Sequence, residues 1–162
     1  MALSFVVFDV GETLVDEAST YVRWEAEGIT SFVFADHDLH RDVLPCFAAL
    51  RARGLRLGAA GNMQAVHEGF LRPHVEFVGS SERWGMEKPD ERFFAHVREE
   101  AAVPSEEIAY VGDRVDNDVL PALAAGMSAV RIRRGMHAHV ESPPGTITIG
   151  SLDELPEALG RV

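Results

Sequence analysis

The sequence predicts an α/β domain built around a central parallel sheet. Apolar runs of strand length alternate along the chain with segments of helical periodicity, the pattern of parallel β-α-β architecture. Two of these runs, Leu3–Phe8 and Ile108–Gly112, end directly in an aspartate, Asp9 and Asp113. Neither run alternates with polar residues, as befits strands buried on both faces. Ligands in open α/β sheets bind outside the carboxyl ends of the strands, so both aspartates fall where a site is expected.

The elements follow in order. Strands are expected over Leu3–Phe8, Leu55–Ala60, Val75–Gly79, Ile108–Gly112, Ser128–Arg131 and Thr146–Ile149. A helix over Asp42–Arg53 carries Val43, Leu44, Phe47 and Leu50 at helical spacing, with Gly54 as its stop. A second over Glu91–Ala102 turns Phe93, Phe94, Val97 and Ala101 to one side. Asn117 is expected to cap a helix over Asp118–Ala125 that Gly126 ends. Ser151-x-x-Glu154 is a capping-box pattern for the last helix. Residues 16–42 are the least legible stretch. Tyr21, Trp24, Ile29, Phe32, Val33 and Phe34 make it too apolar for a disordered loop, and a helix around Tyr21–Glu27 followed by a turn is expected.

At 162 residues the chain is long enough for one domain with a full core. It is 46% hydrophobic and 25% charged, an ordinary globular balance, and its net charge of −11 argues against nucleic acid or an anionic membrane as partner. No apolar run approaches the ~20 residues that span a bilayer. Met1-Ala-Leu-Ser runs into a strand without the basic start of a signal peptide, and Cys46 is the single cysteine. A cytoplasmic location is the resulting expectation.

Tyr110-Val-Gly-Asp113-Arg-Val-Asp-Asn-Asp118 delivers two carboxylates just past a strand, and Asp9 adds a third from another strand end. Three carboxylates brought together this way form a site for a hard cation, most naturally Mg²⁺. Asp9 at a strand end can attack phosphorus and form an aspartyl-phosphate, splitting one difficult displacement into two. Asp9, Asp113 and the Gly11 carbonyl would hold the cation, with Asp118 as a further ligand or the orienter of a bound water. Lys88 adds positive charge where phosphoryl oxygens gather, and the Thr13 hydroxyl can help to cradle the phosphate. Asp116 reads as a turn residue, and His137-Ala-His139 resembles a metal-binding pair but lies in a polar loop after the fifth strand. Trp24 and Trp84 read as core or pocket-wall residues.

Four segments together resemble the haloacid dehalogenase (HAD) superfamily of hydrolases, over almost the whole chain. Phe8-Asp-Val-Gly-Glu-Thr-Leu14 is similar to the first motif of that family, whose leading Asp is the nucleophile. Leu57-Gly-Ala-Ala-Gly-Asn62 is similar to the second, Gly85-Met-Glu-Lys-Pro-Asp90 to the third, and Gly112-Asp113 through Asp118 to the fourth, acidic one. The resemblance implies a Rossmann-like three-layer sandwich and a Mg²⁺-dependent phosphatase. Asp9 and Lys88 would be catalytic, and Gly11, Glu12, Thr13, Gly61, Asn62 and Lys88 would meet the phosphate. Asp9, Gly11, Asp113 and Asp118 would hold the metal.

Two positions depart from the family pattern. Gly11 stands where active members usually carry a second Asp as general acid and base, a function typically worth ~10²–10⁴ in rate. Glu12 would have to reach the site through a local backbone shift to replace it. Gly61 stands where a Ser or Thr usually donates a hydroxyl to the phosphate. Residues 17–41 are also too few for a full helical cap, so the expected architecture is a single core domain over 1–162 with a much reduced cap. Such a site is open to small or macromolecule-borne phosphorylated substrates, or closed by a second subunit in a homodimer across the apolar insert. A catalytically degenerate member that binds a phosphorylated ligand or a protein partner is the alternative. A signalling receiver domain, which shares the acidic pocket and lysine, lacks support because the N-terminal Asp pair it needs is missing.

Overall fold

The structure, a computed structural model, describes residues 2–160. Six strands form one parallel sheet in the order β3-β2-β1-β4-β5-β6. They are β1 (Phe5–Phe8), β2 (Arg56–Gly61), β3 (Phe77–Ser80), β4 (Ile108–Gly112), β5 (Ser128–Ile132) and β6 (Ile147–Ile149). Each expected strand is present: β4 has the expected ends, and the others have ends moved by a residue or two. Side chains alternate across the strands, so each feeds two cores. Val6, Phe8, Ala109, Val111, Val130 and Ile132 enter one, while Phe5, Val7, Ile108, Tyr110 and Ala129 enter the other. This two-sided burial explains why the strands read as continuous apolar runs.

Helices cover both faces and make three layers. Helix α2 (Val43–Ala52) and the short C-terminal α6 (Leu155–Leu159) pack on the first core. Two others, α4 (Glu91–Ala101) and α5 (Leu120–Ala124), pack on the second, beside the single turn α3 (Ser81–Trp84). Phe93, Phe94, Val97 and Ala101 are all buried, as their spacing predicts. In α2, Val43, Phe47 and Leu50 are buried but Leu44 faces solvent, and Cys46 takes the place in the core assigned to it. Ser151 and Glu154 form the expected capping box: Ser151 Oγ accepts from Asp153 N (3.1 Å) and Glu154 Oε2 from Ser151 N (3.3 Å).

One boundary differs from the sequence reading. Asn117 caps nothing, because a π-helical turn over Val115–Val119 already precedes α5. The Asp118 carboxylate lies against Gly112 at the end of β4, and its Oδ2 accepts from Arg114 N at the start of the turn at 3.0 Å.

The stretch between Asp16 and Asp42 is ordered. Asp16 caps helix α1 (Glu17–Glu27) by accepting from Ser19 N, and Gly28, at φ 66°, ends it. Trp24 stacks on Phe34 at 5.4 Å, and Phe34 lies 4.4 Å from the His67 ring. The buried Asp38 carboxylate accepts from Ala35 N (2.8 Å) and pairs with Arg23. Tyr21, Val22 and Phe32 remain about half exposed or more.

Candidate active site

The sheet order sets the site. The chain runs outward from β1 through β2 to β3, then returns to place β4 on the other side of β1. Such a reversal opens a crevice at the carboxyl ends of the two adjacent strands. Phe8 and Val111 are register partners, and Asp9 N donates to Val111 O at 2.8 Å. Asp9 and Asp113 therefore emerge side by side.

After Asp9 the chain turns back on itself. Leu14 N and Val15 N both donate to Val10 O, Thr13 N donates to Gly11 O (2.7 Å), and Glu12 adopts the left-handed region at φ 59°. The turn buries Thr13, whose Oγ1 lies 3.1 Å from Asp9 Oδ2 and 3.3 Å from Asp113 Oδ1. It also sends the Glu12 carboxylate to the start of α1, where Oε1 accepts from Glu17 N (2.6 Å) and Ala18 N (3.3 Å), a favoured place for an anion. Arg134 fixes the turn by donating to the carbonyls of Glu12 and Thr13 while pairing with Asp42 at 2.7 Å.

Lys88 approaches from the loop before α4. Its buried Nζ lies 2.7 Å from Asp9 Oδ1 and 2.5 Å from Asp118 Oδ1, with the Tyr110 ring 5.5 Å away. Asn62, just past β2, fixes the lysine backbone from both ends: Nδ2 donates to Lys88 O (3.0 Å) and Oδ1 accepts from Lys88 N (2.8 Å). Gly112 has to be glycine, since a Cβ there would stand 2.3 Å from Asp118 Cγ. At Gly61 a Cβ would come within 3.2 Å of Asp9 Oδ1.

The charges do not balance. Oxygens of Asp9, Asp113 and Asp118 lie within 4.8 Å of one another, and Lys88 is the ammonium paired with them. Burial, then the neighbouring Asp9, pushes Asp113 up to about 9. Burial and Asp9 also raise Asp118 to about 6, opposed by Lys88. Burial alone would lower Lys88, but Asp118 and Asp9 outweigh it and hold the ammonium well above the ordinary lysine value. Three buried carboxylates against one ammonium, all with hard oxygen donors, fit a divalent cation of the Mg²⁺ type.

Of the residues singled out in the sequence, Asp9, Gly11, Glu12, Asn62, Lys88, Asp113 and Asp118 line one pocket of about 490 Å³. Thr13 and Gly61 are buried and do not line it. Trp84 belongs to the second core, against Phe93 at 5.1 Å. The pocket also takes in Glu17 and Arg114, to which the sequence gives no role in the site, together with Tyr21 of the apolar insert, Asn117 and His137 of the His-Ala-His pair. The Glu17 carboxyl is pushed up to about 7 by burial, then by Glu12 and Asp9. Arg131, fully buried, was equally unmarked. It donates to the Asp113 carbonyl (2.8 Å) and to the carbonyls of His137 and Val140, tying the loop after β5 to the site. Its strand position opposite Gly112 was the available signal, a basic residue facing an acidic strand end.

Residues 85–155 match the family described as HAD-hydrolase-like. Over 130 residues the chain is 36% identical to a glyceraldehyde 3-phosphate phosphatase of Methanopyrus kandleri, covering 72% of this chain and 56% of that one. The chain spans about half the length of the curated relatives it matches. Among solved structures, a HAD phosphatase from Thermococcus onnurineus superposes with a TM-score of 0.78 at 19% identity, covering 98% of each chain. YfnB, a HAD-hydrolase from Bacillus subtilis solved bound to magnesium, superposes with a TM-score of 0.77 at 18% identity over 98% of this chain and 99% of that one.

Proposed function

Because the chain belongs to the HAD-like hydrolase superfamily, we propose that it is a Mg²⁺-dependent phosphomonoester hydrolase that works through an aspartyl-phosphate on Asp9. The observation that carries this reading is the pairing of a pocket-lining Asp9 carboxylate with the buried Lys88 ammonium 2.7 Å away, beside Asp113. The names of the relatives support phosphatase chemistry, and the magnesium in YfnB supports the metal.

Asp9 and Asp113 would hold Mg²⁺, which when bound offsets the charge of the carboxylates and of the phosphoryl oxygens. Both Asp118 oxygens already have partners, Lys88 and Arg114 N, so Asp118 serves chiefly to aim the ammonium. Lys88 neutralises Asp9 as an anionic ester approaches and then stabilises charge on the transferring phosphoryl group. Asn62 sets the height of the lysine through its backbone. Thr13 keeps the Asp9 and Asp113 carboxylates in a fixed relation.

Residues 17–41 form the reduced cap in this reading, leaving the pocket open to phosphorylated small molecules or to a phosphate borne on a larger one. Glyceraldehyde 3-phosphate is the first substrate to try, from the name of the Methanopyrus relative. A homodimer through the insert rests on the exposure of Val22 and Phe32, and a monomeric mass by light scattering would exclude it.

The test is hydrolysis of p-nitrophenyl phosphate with Mg²⁺ or with EDTA, by the wild type and by Asp9→Asn. Metal-dependent turnover lost in Asp9→Asn supports the reading. A folded, Mg²⁺-binding wild type no faster than Asp9→Asn would instead favour a protein that only binds its phosphorylated ligand.

A further inference from the structure

Phosphoester cleavage needs a proton for the departing alkoxide and a base for the incoming water, and the pocket offers few groups to supply them. Asp9 is committed as nucleophile. Asp118 is held by Lys88 and Arg114 N, and Asp113 lies against Asp9 and Thr13. The Glu12 carboxylate is turned away onto the backbone of Glu17 and Ala18. His137 reaches the pocket from the loop after β5, a loop that also borders the separate cleft of Val115, Asp116 and Val140. Glu17 is different. It opens α1, lines the pocket, and its carboxylate has no hydrogen-bond partner among the described residues.

The position of that carboxylate is defined by Gly11, two residues beyond Asp9. A Cβ on Gly11 would stand 2.5 Å from Glu17 Oε1 and 3.1 Å from Glu17 Cδ. The room beside Gly11, where a side chain at that position would begin, is thus filled from the helix by a carboxyl group. The backbone bond from Glu17 N to Glu12 Oε1 and the Asp16 cap fix the start of α1 and with it the root of this side chain.

Resting on the phosphatase reading above, we propose that Glu17 is the general acid and general base of this site, delivered by α1 into the space that Gly11 leaves open. In the first half-reaction an Asp9 oxygen bonds to phosphorus, the bond from phosphorus to the ester oxygen breaks, and the Glu17 carboxylic acid gives its proton to that oxygen, releasing the alcohol. In the second, the Glu17 carboxylate takes a proton from water as the water oxygen bonds to phosphorus and the bond to Asp9 breaks. Inorganic phosphate leaves, and Glu17 is protonated again.

The experiment compares wild type and Glu17→Gln, both with Mg²⁺, on p-nitrophenyl phosphate and on propyl phosphate, following product from the first turnover. Glutamine preserves the side-chain size and removes no hydrogen bond to the protein, so an unchanged Tm verifies the fold. Nitrophenolate departs without a proton, whereas an alkoxide does not. Glu17→Gln should therefore release about one equivalent of nitrophenolate in a burst, then turn over about 10²–10⁴-fold more slowly than the wild type. With propyl phosphate it should give no burst. Wild-type rates on both esters, or equal loss of burst and steady state with the aryl ester, would overturn the role of Glu17 while leaving the Asp9 chemistry standing. A wild type inert toward both esters would overturn the phosphatase reading and this inference together.

Discussion

Lys88 and Asp118 form a buried ion pair, Nζ to Oδ1 2.5 Å, and the same ammonium reaches Asp9 at 2.7 Å. The lysine thus joins the loop before α4 to the ends of both β1 and β4. Removing one partner of a buried pair strands the other charge, at a cost of about 3–5 kcal/mol. In Lys88→Met three carboxylates would face each other without an ammonium. The expected result is loss of turnover and a fall in Tm on the order of 10 °C in EDTA, smaller with Mg²⁺ present. Calorimetry in the two buffers checks it, and a Tm equal to that of the wild type in EDTA would contradict the ion-pair argument.

Asp113 gives the stability a pH dependence that metal should remove. Its folded value of about 9 lies far above the reference of 3.8, because of burial first and Asp9 second. Folding therefore favours its protonated form. That contribution is complete below the unfolded value and is lost as pH rises toward the folded one. On the proposed reading Mg²⁺ would take the place of the proton and bind more tightly as the proton becomes easier to remove. The rise in Tm on adding Mg²⁺ should grow from about pH 5 to about pH 8. A metal-induced shift that is flat across this range would mean that the cation does not displace a proton from Asp113.

Gly112 should tolerate no side chain. A Cβ there would meet Asp118 Cγ at 2.3 Å and Cβ at 2.4 Å, so alanine must drive the carboxylate off Lys88. Overpacking of this kind costs about 1–3 kcal/mol. Gly112→Ala is expected to lose both stability and most of its turnover. Gly69→Ala, with open space around the added methyl group, is the control and should keep both.

These positions differ in how far the sequence disclosed them. Asp9, Lys88, Asp113 and Asp118 were legible because each follows a strand end or loop that local patterning marks. The central strands β1 and β4 were legible because burial on both faces left them uniformly apolar. Glu17 was not, since its place over Gly11 depends on the tight turn of residues 10–14, whose carbonyls are held by Arg134 from the loop after β5. Arg131 stands in the sequence only as the last residue of the expected strand Ser128–Arg131, and its burial depends on carbonyls brought to it by a loop. Local composition marks Asn117 as a cap. A wide π-helical turn, in which Asp118 faces Lys88, overrode that preference. What the sequence hid was held by contacts between residues distant along the chain.

Asn62 offers a test of positioning separate from charge. Its amide makes two reciprocal bonds with the Lys88 backbone, at 2.8 and 3.0 Å, and carries no charge of its own. Asn62→Ala removes both, at about 0.5–1.5 kcal/mol each, leaving a folded protein. Lys88 would keep its ammonium near Asp9 and Asp118 but lose the backbone anchor that sets its height. A displacement of about 1 Å at a reacting centre can cost on the order of 10²-fold in rate. The expected outcome is therefore a kcat lower by about 10–100-fold, with a modest fall in Tm. If kcat instead stays at the wild-type value while Tm falls, the Asn62 bonds stabilise the loop without positioning the lysine for chemistry.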